Sequence, residues 1–233
     1  MMTAIQSTET HMKLPPGRAA DVVVFDLGGV LVDWNPRYLY RQLFDGDEAS
    51  MERFLADVCT QTWNEQQDAG RAWEEAIAEA IAAHPHHAEM IKAYYDRWEE
   101  MLAGSFAGTV AILDELRRTD LRLFALTNWS QHTFPRAIDK FDFFAWFEDI
   151  IVSGKEGIIK PDPAIFRILT TRFGVDPARA VFIDDSWKNV DAAARLGFRA
   201  LQFRNAEALR VELVALGLLP MAGSEVPHGA SGP

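Results

Sequence analysis

Four short apolar runs carry almost no polar alternation: Val22 to Phe25, LRLFALT (121–127), DIIVS (149–153) and AVFID (180–184). A strand that is apolar on both sides has to be covered on both sides. This disfavours a half-solvated antiparallel sheet and points to a parallel one with helices packed against each face. From residue 104 onward the runs alternate with stretches of helical spacing, GTVAILDELRR (108–118), one from about Gln131, PAIFRILTTRFG (163–174) and WKNVDAAARLG (187–197), and ALQF (200–203) closes the series. The pattern predicts the α/β class with a parallel, helix-covered sheet.

One block breaks that alternation. Residues 36 to about 103 keep a helical period throughout, in PRYLYRQLF (36–44), Met51 to Val58, AWEEAIAEAIAAH (72–84) and HAEMIKAYYDRWEEML (87–102), with Pro36 and Gly70 as punctuation. This reads as a helical cap, 34–103, set into a core made of 20–33 and 104–220, with hinges near Asp33-Trp34 and Gly104-Ser105. Residues 1–19, polar and carrying Pro15, Pro16 and Gly17, and residues 221–233 are expected to be disordered tails.

With 233 residues, 48% of them hydrophobic, the chain can bury a substantial core. Its net charge of -11 lacks the basic footprint that a nucleic acid or an anionic membrane demands. Any anionic substrate must then be held by a few local cations or a metal. The single cysteine, Cys59, leaves no internal disulfide and no thiol-rich zinc site, and reads as a buried, inert thiol. No run is long enough to cross a membrane and the first 20 residues do not read as a signal peptide, so a cytoplasmic protein is expected.

Three of the apolar runs stop abruptly at small or acidic polar residues. Phe25 gives way to Asp26 and the turn Gly28-Gly29, Leu126 to Thr127-Asn128, and Ile183 to Asp184-Asp185. All three are carboxyl ends, which in an open parallel sheet converge on one crevice. Lys160 lies in a fourth loop. Each residue alone has a plainer reading: Asp26 as a turn aspartate, Asp184-Asp185 as a cap for the next helix. Together they form a set of hard oxygen donors suited to Mg²⁺, with Thr127 and Asn128 as neutral donors and Lys160 as a point charge. Adjacent carboxylates repel, so Asp184-Asp185 implies either a cation or a raised pKa.

In the four stretches VVVFDLGGVLVDWNP, LTNWS, GIIKPDPAIF and VFIDDSWKNVDAAA the chain resembles the haloacid dehalogenase (HAD) superfamily with a helical cap inserted after the first motif. The resemblance spans roughly 21–204. It implies a Rossmann-like core in which Asp26 attacks phosphorus and forms an aspartyl phosphate that water hydrolyses. It also implies that Thr127, Asn128 and Lys160 hold the phosphoryl oxygens, and that Mg²⁺ sits among Asp26, the backbone carbonyl of Gly28, Asp185 and Asp184. The implied partner is a small phosphorylated metabolite, and a homodimer is compatible with the chain.

The resemblance breaks at Gly28, where phosphatases of this superfamily usually carry the aspartate that serves as general acid and base. Three readings follow. A phosphatase acting on a good leaving group, such as a sugar 1-phosphate, needs that acid least, and the glucose-1-phosphate phosphatases of the superfamily resemble this chain in having glycine there. Asp33 and His132 are candidate surrogates. A 2-haloacid dehalogenase with Asp26 as nucleophile also lacks the acid, although the pair Asp184-Asp185 argues against it. A non-catalytic binder of a phospho-ligand or protein is the third.

Trp34, Trp129 and Trp187 stand beside the motifs, where an indole suits stacking on a sugar or packing between cap and core. Trp63, Asn64, Asp68 and Arg71 surround the Gly70 turn, and Arg71, with Arg37, is a candidate specificity residue. His84, His86 and His87 lack the partners that would complete a metal site and read as a solvated loop.

Overall fold

The computed structural model describes residues 17–220. The expected tails at 1–16 and 221–233 lie outside the described residues. At 17–19 the chain is tied down, with Ala19 N–H donating to Leu216 O at 3.2 Å.

The expected parallel sheet is present. Its first strand, β1 (Val22–Phe25), is fully buried and occupies the centre. A two-stranded antiparallel ribbon, β2 (Val32–Trp34) with β3 (Leu102–Ser105), follows in the chain. The other sheet strands are β4 (Arg122–Thr127), β5 (Asp149–Val152), β6 (Ala180–Asp184) and β7 (Arg199–Gln202), in the spatial order β5-β4-β1-β6-β7, every neighbour parallel.

The missing polar alternation has a direct cause. Val23 and Phe25 of β1, Leu123 and Ala125 of β4, and Val181 and Ile183 of β6 pack on one face; Val22, Val24, Phe124, Leu126, Ala180 and Phe182 pack on the other. The first face is covered by helices that include Ala107–Leu116 and Ala206–Ala215, through Ile112, Leu113, Leu209 and Leu213. The second is covered by Pro163–Phe173 and Trp187–Arg195, through Ile165, Phe166, Leu169 and Ala193. Burying each large apolar side chain contributes roughly 1.5–3 kcal/mol, so a strand that loads both faces is strongly fixed in place. The helix Ala206–Ala215 is absent from the expected pattern; its leucines pack, but its alanines and glutamates blur the period.

Five helices fill the insertion: α1 (Arg37–Leu43), α2 (Glu48–Asp57), α3 (Gln61–Asp68), α4 (Trp73–Ala83) and α5 (Ala88–Asp96). The expected single helix over 87–102 stops at Asp96 and continues as a 3-10 turn, Trp98–Met101, running straight into β3. The segments expected as hinges, Asp33-Trp34 and Gly104-Ser105, pair with each other in the ribbon, Asp33 opposite Gly104. Strands this short are hard to tell from a loop in sequence.

The insertion is fastened to the sheet domain by specific bonds as well as by a shared apolar cluster. Trp73 Nε1 donates to Ser130 Oγ at 2.9 Å, Ser153 Oγ to Asp68 O at 2.6 Å and Arg136 Nη1 to Tyr95 O at 2.7 Å. Gly70 sits in the left-handed region at φ 96°, and a Cβ there would stand 3.0 Å from Gly154 O. The α3–α4 turn thus rests on the short helix Ser153–Glu156 that follows β5, with little room for a side chain.

Candidate active site

The register of the sheet brings the acidic residues together. Phe25 pairs with Ala125 on one side and Ile183 on the other, so one residue further on Asp26 is level with Leu126 and Asp184. The ammonium of Lys160 binds this level across all three strands: it donates to Leu126 O at 2.7 Å and Asp184 Oδ2 at 2.8 Å, and lies 2.9 Å from Asp26 Oδ1. A lysine has three N–H donors, and all three are used here. A buried ammonium is tolerable only when paired and bonded in this way.

Asp26 is held further by the N–H of Leu27, which donates to its Oδ1 at 2.7 Å. The Leu27 carbonyl in turn accepts from Leu31 and Val32 N–H, both at 2.8 Å, and winds residues 27–32 into a compact loop. Gly29 in that loop has φ 73°, and a Cβ there would lie 2.4 Å from Asp185 Oδ2. Only glycine allows the approach. Gly28 is different: its φ is not in the left-handed region and a Cβ would meet nothing within 4 Å.

Asp184 is oriented by Ser186 N–H at 2.8 Å and by Asn189 Nδ2 at 3.0 Å, the latter a residue inside the fourth motif that was not singled out as a site residue. Asp184 is therefore both the cap of the turn and part of the site. Asn128 clamps the lysine loop: its Oδ1 accepts from Lys160 N–H at 2.8 Å while Nδ2 donates to Lys160 O at 3.0 Å. One Nδ2 proton remains for a ligand. Thr127 is buried at the end of β4.

One oxygen from each of Asp26, Asp184 and Asp185 lies within 4.8 Å of the others. Three carboxylates share one ammonium, leaving the cluster short of positive charge. Burial, with Asp184 and Asp185 adding to it, pushes Asp26 up to about 8, against the pull of Lys160. Burial and Asp184 likewise raise Asp185. For Lys160 desolvation works against the charged form, and the carboxylates of Asp184 and Asp26 outweigh it, so its pKa is raised. A hard divalent cation among these oxygens would supply the missing charge, and the all-oxygen donor set suits Mg²⁺.

Beside this cluster, a narrow cleft opens between the insertion and the sheet. Gly28 and Asn128 line it from the strand loops, Asn64 and Asp68 from α3, and Trp34, Trp73, Trp98 and Trp129 form its walls. The indole nitrogens of Trp34 and Trp129 are buried without a partner. Leaving a buried donor unmet in this way costs about 1–3 kcal/mol.

Several expected neighbours are elsewhere. Trp187 is exposed and does not line the cleft. Arg71 turns to Gln66, at 2.6 Å, and to Glu79; Arg37 forms a pair with Glu52. Neither Asp33 nor His132 lines the cleft, and Asp33 accepts from Tyr38 Oη at 2.9 Å. Among the described residues the histidines at 84–87 join no metal-binding cluster. Cys59 is buried, and no helix among the described residues is long and apolar enough to cross a membrane.

Comparison with known proteins agrees with this geometry. The family described as haloacid dehalogenase-like hydrolase matches residues 20–197. A phosphoserine phosphatase of Thermus thermophilus is 32% identical over 132 residues, covering 56% of this chain and 52% of that protein. The chain spans between 18% and 52% of the length of the first three curated relatives it matches. Among solved structures, a predicted HAD-like family hydrolase of Porphyromonas gingivalis superposes with a TM-score of 0.66 at 25% identity, covering 85% of this chain and 98% of that one. A HAD family enzyme of Bacteroides thetaiotaomicron, solved in complex with magnesium and inorganic phosphate, superposes with a TM-score of 0.62 at 22% identity, covering 80% and 95%. With its strand order, its helical insertion and its carboxylates gathered at the strand ends, the chain belongs to the haloacid dehalogenase-like hydrolases.

Proposed function

We infer that this protein is a Mg²⁺-dependent phosphatase that cleaves a small phosphomonoester through an aspartyl phosphate on Asp26. The observation that carries this reading is the cluster itself: Asp26, Asp184 and Asp185 around a fully bonded Lys160, on the edge of a cleft. Asp26, the carbonyl of Gly28, Asp184 and Asp185 would hold the metal. Bound there, Mg²⁺ would neutralise the mutual repulsion of nucleophile and phosphate. The magnesium and phosphate bound by the Bacteroides enzyme support this use of the fold.

The chain's own residues account for the rest. Leu27 N–H and Lys160 fix Asp26 so that one carboxylate oxygen is presented at the strand end. Attack on phosphorus forms the Asp26 Oδ–P bond and breaks the bond to the leaving oxygen. Thr127 and the spare Asn128 proton serve the phosphoryl oxygens; Lys160 can join them only by exchanging one of its three bonds. The helical insertion, residues 34–103, acts as the cap over the core of 20–33 and 104–220 and sets specificity. A cleft walled by indoles suits stacking on a leaving group that has a ring, and a sugar 1-phosphate meets that description.

The test is hydrolysis of p-nitrophenyl phosphate with and without Mg²⁺, alongside Asp26→Asn. Loss of turnover in both the metal-free enzyme and the variant is expected. Equal rates in all three would overturn the reading.

A further inference from the structure

Gly28 leaves the reaction without the usual proton donor, yet the cleft is not without an ionisable group. Among the described residues that line it, Asp68 alone can carry a proton. It projects from the last turn of α3, at the tight turn held by Gly70, and its backbone carbonyl is pinned by Ser153 Oγ at 2.6 Å. Asn64 Nδ2 donates to its Oδ2 at 2.9 Å. The carboxyl is thus fixed on a rigid turn that is itself fastened to the sheet domain, and it faces the same cleft as the open backbone of Gly28.

We propose that Asp68, delivered by the helical insertion, is the general acid and base of this enzyme, replacing the side chain absent at Gly28. The inference rests on the phosphatase reading above. As Asp26 Oδ forms its bond to phosphorus, the P–O bond to the leaving group breaks with its electron pair on oxygen. The Asp68 carboxyl gives its proton to that oxygen and becomes a carboxylate. In the second half, Asp68 removes a proton from the attacking water; its oxygen bonds to phosphorus, and the Asp26–phosphorus bond breaks to release inorganic phosphate. Atoms and protons balance over the cycle: ester plus water gives alcohol plus phosphate.

The state of the group suits both duties. Burial pushes Asp68 up to about 7, helped slightly by the charge of Glu65 on the same helix and opposed by the N–H of Ser130. Tyr94, packed against it from α5, stays neutral because its own burial raises its pKa well above the usual value. A carboxyl poised near neutrality can donate and accept in turn.

The experiment uses the full chain with Mg²⁺ and two probes, p-nitrophenyl phosphate and ethyl phosphate. Nitrophenolate leaves unaided, whereas ethoxide does not. In Asp68→Asn the pre-steady-state burst of nitrophenolate should keep its rate while ethyl phosphate turnover falls by about 10²-fold or more. Asp68→Ser, smaller and uncharged, should behave in the same way. Gly28→Asp in the Asp68→Asn background should restore ethyl phosphate turnover, since the added Cβ meets nothing. No loss on either probe, or an equal loss of burst rate and ethyl phosphate turnover, would overturn the role of Asp68 while leaving a Mg²⁺-dependent, Asp26-dependent burst intact. Nitrophenyl phosphate hydrolysis by the wild type that depends on neither Mg²⁺ nor Asp26 would overturn the phosphatase reading and this inference with it.

Discussion

The ammonium of Lys160 lies 2.9 Å from Oδ1 of Asp26, and it reaches that position by crossing three strand ends that the sheet register has already brought level. Asp26 is therefore held by the architecture as much as by its own loop. Replacing Lys160 by Met would leave Asp26 and Asp184 facing each other in a buried site without their cation. Breaking a buried pair in this way costs about 3–5 kcal/mol. Urea denaturation of Lys160→Met without metal should show that loss; an unchanged midpoint would mean the pair adds nothing to stability. Lys160→Arg should not rescue it, because a planar guanidinium cannot aim three donors at three strand ends.

The two glycines of the first loop should respond in opposite ways. Gly28→Ala meets open space and should change stability by less than about 0.5 kcal/mol. Gly29→Ala combines a left-handed backbone with a clash against Asp185, and should cost about 1–2 kcal/mol from the backbone alone. It should also weaken Mg²⁺ binding by displacing Asp185, which isothermal titration of the two variants would read. Equal effects of the two substitutions would contradict the geometry.

Metal should stabilise the fold. A ligand that binds only the native state raises stability by RT ln(1 + [L]/Kd), about 2.7 kcal/mol at a hundredfold excess over Kd. Thermal unfolding with Mg²⁺ and with EDTA should differ for the wild type and not for Asp185→Asn. A shift that survives in the variant would place the metal elsewhere.

Asp68 gives the pH dependence a definite sign. Its carboxyl is raised from 3.8 to about 7, mainly by burial. Between those values the folded protein holds a proton that the unfolded chain has released, so stability falls as pH rises through that window and stays lower above it. Asp68→Asn has no such titration. Its stability relative to the wild type should therefore climb from pH 4 to pH 8, by on the order of 4 kcal/mol at most. Denaturant midpoints at the two ends of the range check this; parallel profiles would mean that Asp68 is not buried as described.

The sheet and the acidic set were legible because they rest on strong local signals. Strands loaded on both faces read as apolar runs, and Asp26, Thr127 and Asp184 fall where those runs end. The ribbon of β2 and β3 was not legible, since strands of three and four residues are too short to show a period. Nor was the partnership of Gly28 with Asp68, forty positions apart in the chain and joined only by how the α3–α4 turn packs on Gly154. Arg71 is a candidate specificity residue by its place after the Gly70 turn, and only the structure shows its charge met by Glu79. Asn189 lies within the fourth motif, but its role as a donor to Asp184 shows only in the geometry.

Covalent phosphorylation of Asp26 is the claim on which the rest depends. An acid quench of the Mg²⁺-loaded enzyme during turnover of p-nitrophenyl phosphate, followed by peptide mass mapping, should find one phosphoryl group on the peptide containing Asp26 and none in Asp26→Asn. Active enzyme with that peptide unmodified after trapping, or with the phosphoryl group on another residue, would contradict the account.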